Sequence, residues 1–128
     1  MIRNRRLLLK TAKRIESIPE SYNQFEWAAD NSLSPCGTVA CLAGEIIICS
    51  ERSVKKGIDK LWNSYDANDV DGVAQQLAGL SDNENYRLFY SPDDWPNKIG
   101  KGFRRKTREG KAKAAAELLR YLADGGEV

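Results

Sequence analysis

The chain has 128 residues, 41% of them hydrophobic and 30% charged, which is typical of a single globular domain with its own core. It contains no histidine, which excludes Ser-His-Asp and Cys-His catalysis, and three cysteines are too few for a four-thiolate zinc site. The net charge is only +2, but the basic segments 1–14 and 98–113 flank an acidic middle. This uneven distribution points to binding more clearly than any other feature of the composition.

The first predicted helix covers residues 5–18, because apolar residues recur every three or four positions on one face. Asn4 is a suitable N-cap, and Pro19 ends the element. Residues 20–33 contain aromatic side chains without a clear period, and we interpret them as a packed connector. A second face of the predicted helix is basic and is a candidate binding surface formed by Arg3, Arg6, Lys10 and Lys13.

The longest apolar runs are short. Neither residues 7–9 nor residues 46–49 approach the roughly 20 residues that a membrane-spanning helix needs. The basic N-terminus is followed by an apolar run that lysines interrupt, so it lacks the apolar region of a secretory signal. We therefore expect a cytoplasmic protein without a membrane partner.

Residues 35–49 are predicted to form the most buried helix of the protein. Ser34 is a suitable N-cap, and Pro35 suits the first helical position, where its missing N–H costs nothing. Glycine inside a helix costs about 1 kcal/mol relative to alanine, so two glycines here predict that a neighbouring helix approaches closely. The structural motif of this segment consists of Cys36, Gly37, Cys41 and Gly44.

All three cysteines lie in or beside this predicted helix. Cys36 and Cys41 are five positions apart, which corresponds to roughly 7.5 Å along a helix axis. A disulfide requires Cα atoms closer than about 7 Å, so reduced thiols with a packing role are the consistent interpretation. In the alternative, Cys36 is a thiolate stabilised by the helix N-terminus, but no histidine is present to act as its base.

The second half of the chain is also predicted to be helical, without strand periodicity. Helices are expected over residues 54–65 and 70–78, the second closed by Gly79. Ser81 to Glu84 matches a capping box, so a short helix should follow to about Tyr90. After an irregular segment and a basic loop, Thr107 caps a last helix that ends near Ala123. Together these elements predict one all-α domain, residues 1–128, with five or six helices.

Residues 36–44 read Cys-Gly-Thr-Val-Ala-Cys-Leu-Ala-Gly. They resemble the C-G-T-x-A-C-x-A-G signature of a functionally uncharacterised family of small bacterial and phage proteins. Weaker similarity covers residues 77–81, 88–90, 95–96 and 114–125, whereas Glu45 stands where an apolar or aromatic residue is expected. The resemblance implies a shared helical fold, and it carries no catalytic residue to this chain.

The first functional hypothesis is a non-catalytic protein-binding module. It rests on the small size of the chain, the lack of catalytic groups, and the resemblance to phage and bacterial proteins. Such a protein acts by occluding a host component, for example part of a defence system. The expected partner is another protein, and no cofactor or metal is required.

The alternative hypothesis is nucleic-acid binding through basic segments 3–14 and 98–113. The predicted loop 98–106, which contains Gly100 and Gly102, combines positive charge with one aromatic ring suited to stacking on a base. Both segments are also compatible with solvated surfaces, or with pairing to the acidic middle of a chain. The candidate residues of the loop are Lys101, Phe103, Arg104, Arg105 and Lys106.

An enzymatic function is the third hypothesis and the least supported. Asp66, Asp69 and Asp71 supply oxygen ligands at a spacing compatible with a metal ion. The segment lacks the glycine and the distal glutamate of a calcium loop, and Asp69 and Asp71 equally suit the start of a helix. We therefore favour a function without catalysis.

Overall fold

A computed structural model describes residues 3–19, 22, 28–30, 38–64, 69–90, 92 and 95–127. Within these ranges the chain forms six α-helices, which confirms the predicted all-α class. The helices are α1 Arg5–Ser17, α2 Leu42–Cys49, α3 Val54–Ser64, α4 Val70–Ala78, α5 Asp82–Tyr90 and α6 Arg108–Ala123. Two strands, β1 Ala28–Asp30 and β2 Thr38–Ala40, pair antiparallel, and short 3-10 turns cover Pro96–Lys98 and Phe103–Arg105.

Local capping accounts for the starts of α1, α5 and α6 and for the end of α4, as the sequence predicts. The Asn4 side chain accepts a hydrogen bond from the Leu7 N–H at 3.1 Å, and the Thr107 hydroxyl accepts one from Gly110 N–H at 3.1 Å. Gly79 ends α4 in the left-handed conformation, with φ of 72°. The two side-chain contacts supply an acceptor for an N–H group at the start of a helix, and the Gly79 N–H donates to carbonyl groups at the end of α4.

The capping box at the start of α5 is also present. The Glu84 N–H donates to the Ser81 hydroxyl at 3.2 Å, and the Ser81 N–H donates to the Glu84 carboxylate at 2.9 Å. The two side chains therefore satisfy each other's backbone donors, which confirms the predicted helix start.

The predicted helix over residues 35–49 is wrong in its first half. Residues 38–40 are a strand, because Thr38 and Val39 pair with the segment that ends at Asp30. The helix begins only at Leu42, and Cys41 caps it through a contact from the Gly44 N–H to its sulfur at 3.5 Å. Correspondingly, part of the predicted connector 20–33 is strand β1. Residues 34–37, with the predicted serine-proline start, lie outside the described residues.

Helix α2 is nevertheless the most buried helix, as predicted. All eight of its residues are buried, whereas each of the other five helices has exposed positions. It lies in the centre of the domain and packs against α1, α3, α4 and α5. A helix that is apolar nearly all round is stable only in such a central position.

Helices α1 and α6 form the second main contact of the core. They run antiparallel, since Arg5 near the start of α1 pairs with Asp124 just after α6 at 3.3 Å, whereas Glu16 near the end of α1 lies beside Ala112 and Lys113 in the first half of α6. Near its other end, α1 is joined to α6 by an ion pair between Glu16 and Arg120 at 2.8 Å. The buried face of α6 is rich in alanine, from Ala112 to Ala116, which allows the two helices to approach closely.

Candidate functional site

A hollow lies between α1 and the start of α3, with a volume of about 300 Å³. Its apolar walls come from Ile18 after α1, from Ile48 and Cys49 at the end of α2, and from Val54 at the start of α3. Val54 is 42% exposed, which is unusual for a valine beside the core. We refer to this hollow as the α1–α3 groove.

Basic side chains surround the α1–α3 groove. Lys10, Lys13 and Arg52 line it and are exposed. The Lys10 ammonium donates to the backbone carbonyl of Glu51 at 2.9 Å, and among the described residues it makes no ion pair. The carboxylate of Glu51 is itself paired with Lys60 at 3.2 Å. The edge of the groove therefore carries net positive charge.

Two further hollows adjoin the groove. One, of about 240 Å³, shares Lys10 and Arg52 with it and adds Arg6 of α1. The other, of about 300 Å³, shares Val54 and continues along α3 to Ile58. The three hollows thus follow one another, with basic residues of α1 at one end and, at the other, Val54 and Ile58 of α3 beside the charged Lys55 and Asp59.

The predicted basic face of the first helix is only partly at this surface. The structure places Arg6, Lys10 and Lys13 around the adjoining hollows, as described above. Arg3 has a different role, because its guanidinium donates to the carbonyls of Leu122 and Gly126 at 2.9 and 2.6 Å and pairs with Glu84. It joins the N-terminal segment to the end of α6 and to α5, which is a structural function.

A buried ion pair lies behind the groove. The Arg14 side chain, which also lines the groove, donates to the Glu45 carboxylate at 2.7 Å, and Glu45 is 0% exposed. A buried carboxylate requires such a partner, because the free energy of an isolated buried charge is prohibitively high. Sequence reasoning missed this pair. The one signal was an acidic residue inside the otherwise apolar run of α2.

The described cysteines are not activated nucleophiles. Cys41 and Cys49 are both free and buried. Burial raises the pKa of each thiol to about 11, and the charge of Glu45 adds to the increase. Both thiols therefore remain protonated near neutral pH, which agrees with a packing role. Cys36 and Gly37 of the predicted motif lie outside the described residues, whereas Gly44 is buried inside α2.

The basic loop after α5 differs from the sequence-based interpretation at its aromatic residue. Phe103 is 0% exposed and packs edge-on against Trp95, with ring centroids 5.1 Å apart. The ammonium of Lys111 lies 5.7 Å from the same ring. The ring belongs to the core, so it is not exposed for stacking on a base.

The charged residues of that loop remain at the surface. Lys101 and Arg105 are exposed and Lys106 is half-buried, whereas the Arg104 side chain is outside what the structure describes. The loop is anchored to α6 through the turn Phe103–Arg105, while the α1 cations surround hollows beside α2 and α3. Among the described residues, the loop cations and the α1 cations therefore line no common hollow, although α1 packs against α6.

A group of three or more histidine, cysteine or acidic residues placed to hold a metal ion is not found among the described residues. Asp69 and Asp71 lie at the start of α4, where the positive end of the helix dipole favours acidic side chains. Asp66 is outside the described ranges. Among all the residues that the structure describes, no helix has the length and apolar character needed to cross a membrane.

Comparison with protein-family models, with curated proteins and with solved structures finds no match to this chain. The resemblance of residues 36–44 to the cysteine-glycine signature therefore stays a prediction.

Proposed function

We propose that this protein is a non-catalytic protein-binding module and that the α1–α3 groove is its contact surface. The observation that carries the proposal is the combination of an apolar groove floor, including the exposed Val54, with the cationic edge formed by Lys10, Lys13 and Arg52. Protein–protein interfaces have this organisation, with an apolar centre and a polar rim.

The dimensions of the groove also support a protein partner. Pockets for whole small molecules have volumes of about 300–1,000 Å³, and the three adjoining hollows lie at or below the lower limit. Shallow hollows of this size fit individual side chains of a larger partner. The resemblance to phage and bacterial proteins extends the proposal to a role in occluding a host component, such as part of a defence system.

A capture experiment with matched variants tests this proposal. Val54→Glu places a charge in the groove, and Tyr86→Glu places the same charge on an apolar residue of α5 that is 63% exposed. Each tagged protein is incubated with nuclease-treated bacterial lysate, and the retained proteins are identified by mass spectrometry. We expect a protein that wild type and Tyr86→Glu retain but Val54→Glu does not. Equal retention by all three, with circular dichroism confirming that each is folded, would contradict the proposal.

Nucleic-acid binding is the second candidate, favoured by the exposed Lys101 and Arg105 on the loop after α5. Because Phe103 is buried, such binding has to rely on phosphate contacts and should depend weakly on base sequence. Affinity should then fall by orders of magnitude between about 50 and 200 mM salt if six or more phosphates are bound. Replacing Arg104, Arg105 and Lys106 by alanine should reduce that salt dependence. If neither random duplex nor single strands bind at about 50 mM salt, this candidate is wrong.

A further inference from the structure

We infer that the α1–α3 groove binds an acidic amphipathic α-helix of the partner, an inference that rests on the proposed function above. Three features of the groove lead to this class of ligand: its charge, the nature of its walls, and the succession of its hollows. Each feature restricts the partner independently of the others.

The charge of the groove selects an acidic partner. Within the part of the chain that the structure describes, Arg6, Lys13 and Arg52 make no ion pair, and all three are exposed at the hollows. Glu51, the one carboxylate among the described residues that line the groove, is already paired with Lys60, and Asp59 lines the hollow beside Ile58. Lysine or arginine side chains of a partner would be repelled by these cations, whereas glutamate or aspartate side chains would form ion pairs with them.

The walls of the groove select a helix. They are formed by α1, by the end of α2, by the turn 50–53 and by the start of α3, and none of these described segments is a strand. An extended segment would find no strand edge there, and its own N–H and C=O groups would be desolvated against apolar walls. A helix satisfies its own backbone and presents only side chains, which is the common mode of binding in such grooves.

The succession of hollows predicts how the helix is anchored. The hollow beside Arg6, the groove itself and the hollow beside Ile58 are separate hollows that share lining residues with their neighbours, so they follow one another along the surface. Apolar residues at positions i, i+4 and i+7 of a partner helix occupy successive sites of this kind. Acidic residues on either side of that stripe then meet the cationic edge.

The test uses three stapled helical peptides of about 16 residues, long enough to form several turns. They share leucines at i, i+4, i+7 and i+11 and differ only in having glutamate, glutamine or lysine beside the leucines. Binding to the full chain is measured by fluorescence anisotropy at about 50 and 300 mM salt. We expect the glutamate peptide to bind about tenfold more tightly than the glutamine peptide at low salt, since three exposed ion pairs each contribute roughly two- to threefold. The lysine peptide should bind least.

Charge reversal locates the site. The triple variant Arg6→Glu, Lys13→Glu and Arg52→Glu should reverse the preference, so that the lysine peptide binds more tightly than the glutamate peptide. These side chains are exposed and unpaired among the described residues, so the variant should fold, which circular dichroism checks.

The matched control carries the same change of net charge on the loop after α5. Lys98→Glu, Lys101→Glu and Arg105→Glu are all at exposed positions, and this variant should keep the wild-type preference for the glutamate peptide. A reversal by the loop variant and not by the groove variant would overturn the inference. So would equal binding of a polyglutamate peptide without leucines, or of random single-stranded DNA, because general attraction between charges would then suffice.

The peptide experiment also separates this inference from the proposed function. If none of the three peptides binds, the acidic helix is wrong as the ligand. The proposed function stays supported in that case if Val54→Glu still removes a captured protein, and both fail if it does not.

Discussion

Gly57 allows α3 to cross α2 closely, and its replacement by alanine tests this crossing. A Cβ atom at Gly57 would lie 2.1 Å from the backbone carbonyl oxygen of Ile48 and 2.7 Å from its carbonyl carbon. Both are backbone atoms of the fully buried helix α2, so they do not move aside as the end of a flexible side chain does. The helices must therefore separate or α3 must shift along α2.

Two effects of opposite sign determine the magnitude. Alanine is about 1 kcal/mol more favourable than glycine inside a helix. Overpacking of a close crossing costs about 1–3 kcal/mol, and a contact this short against backbone places Gly57→Ala at the upper end of that range. We therefore expect Gly57→Ala to lower the free energy of unfolding by about 2 kcal/mol, or the melting temperature by roughly 6–10 °C.

Gly72 in α4 provides the matched control, because a Cβ atom there would have no neighbouring atom within 4 Å. Gly72→Ala should gain only the helix preference and raise the free energy of unfolding by about 0.5–1 kcal/mol. Urea unfolding followed by circular dichroism measures both variants. If Gly57→Ala stabilises the protein as much as Gly72→Ala does, α3 does not cross α2 as closely as described.

Glu45→Ala leaves the Arg14 charge buried and should cost about 3–5 kcal/mol in urea unfolding, whereas Arg14→Met combined with Glu45→Leu should recover most of that loss. A cost below about 1 kcal/mol for the single variant would show that Arg14 does not depend on this partner. Cys41 and Cys49 should react slowly with a thiol reagent in the native protein, and the denatured chain without reductant should show all three cysteines as thiols; a mapped disulfide would contradict this. Burial opposes ionisation of Glu84, but hydrogen bonds from the Ser81 backbone and from the arginine of the N-terminal segment outweigh it and lower the pKa from 4.5. The resulting stabilisation is present above pH 4.5 and is lost as the pH falls through the lower folded-state pKa, so Glu84→Gln should show a weaker acid dependence in urea unfolding between about pH 6 and 3. An acid dependence of Glu84→Gln equal to that of the wild type would contradict this role of Glu84.

Helix ends were predictable because they depend on neighbours in the sequence. Asn4, Thr107 and the Ser81–Glu84 box each bond to a backbone group three positions away, and Gly79 ends α4 through its own backbone conformation. The strongly apolar run of α2 likewise predicts its central position, because only a helix surrounded by others can bury every face.

The candidate site was predicted only in part. Helical periodicity groups Arg6, Lys10 and Lys13 on one face of α1, and the structure places them around the hollows. The same periodicity included Arg3. Its partners are Glu84, Leu122 and Gly126, which are too distant in the sequence for helical periodicity to predict them. Arg52 was missed for the corresponding reason, since it approaches α1 only after the chain has folded.

Apart from residues 38–41, the sequence by itself determined which of the described segments are helical and where most of them begin and end, since hydrogen bonds between neighbours and side-chain period suffice for this. Tertiary structure alone decided the pairing of β1 with β2, the partnership of Arg14 with Glu45 and the burial of Phe103. These outcomes depend on which distant segments of the chain meet. The residues of those segments set the free energy of burying a charged side chain, an aromatic ring or a backbone N–H or C=O group. The α1–α3 groove belongs to the second group, because its apolar walls and its cationic edge come from α1, α2, α3 and the residues next to them, which only the fold brings together.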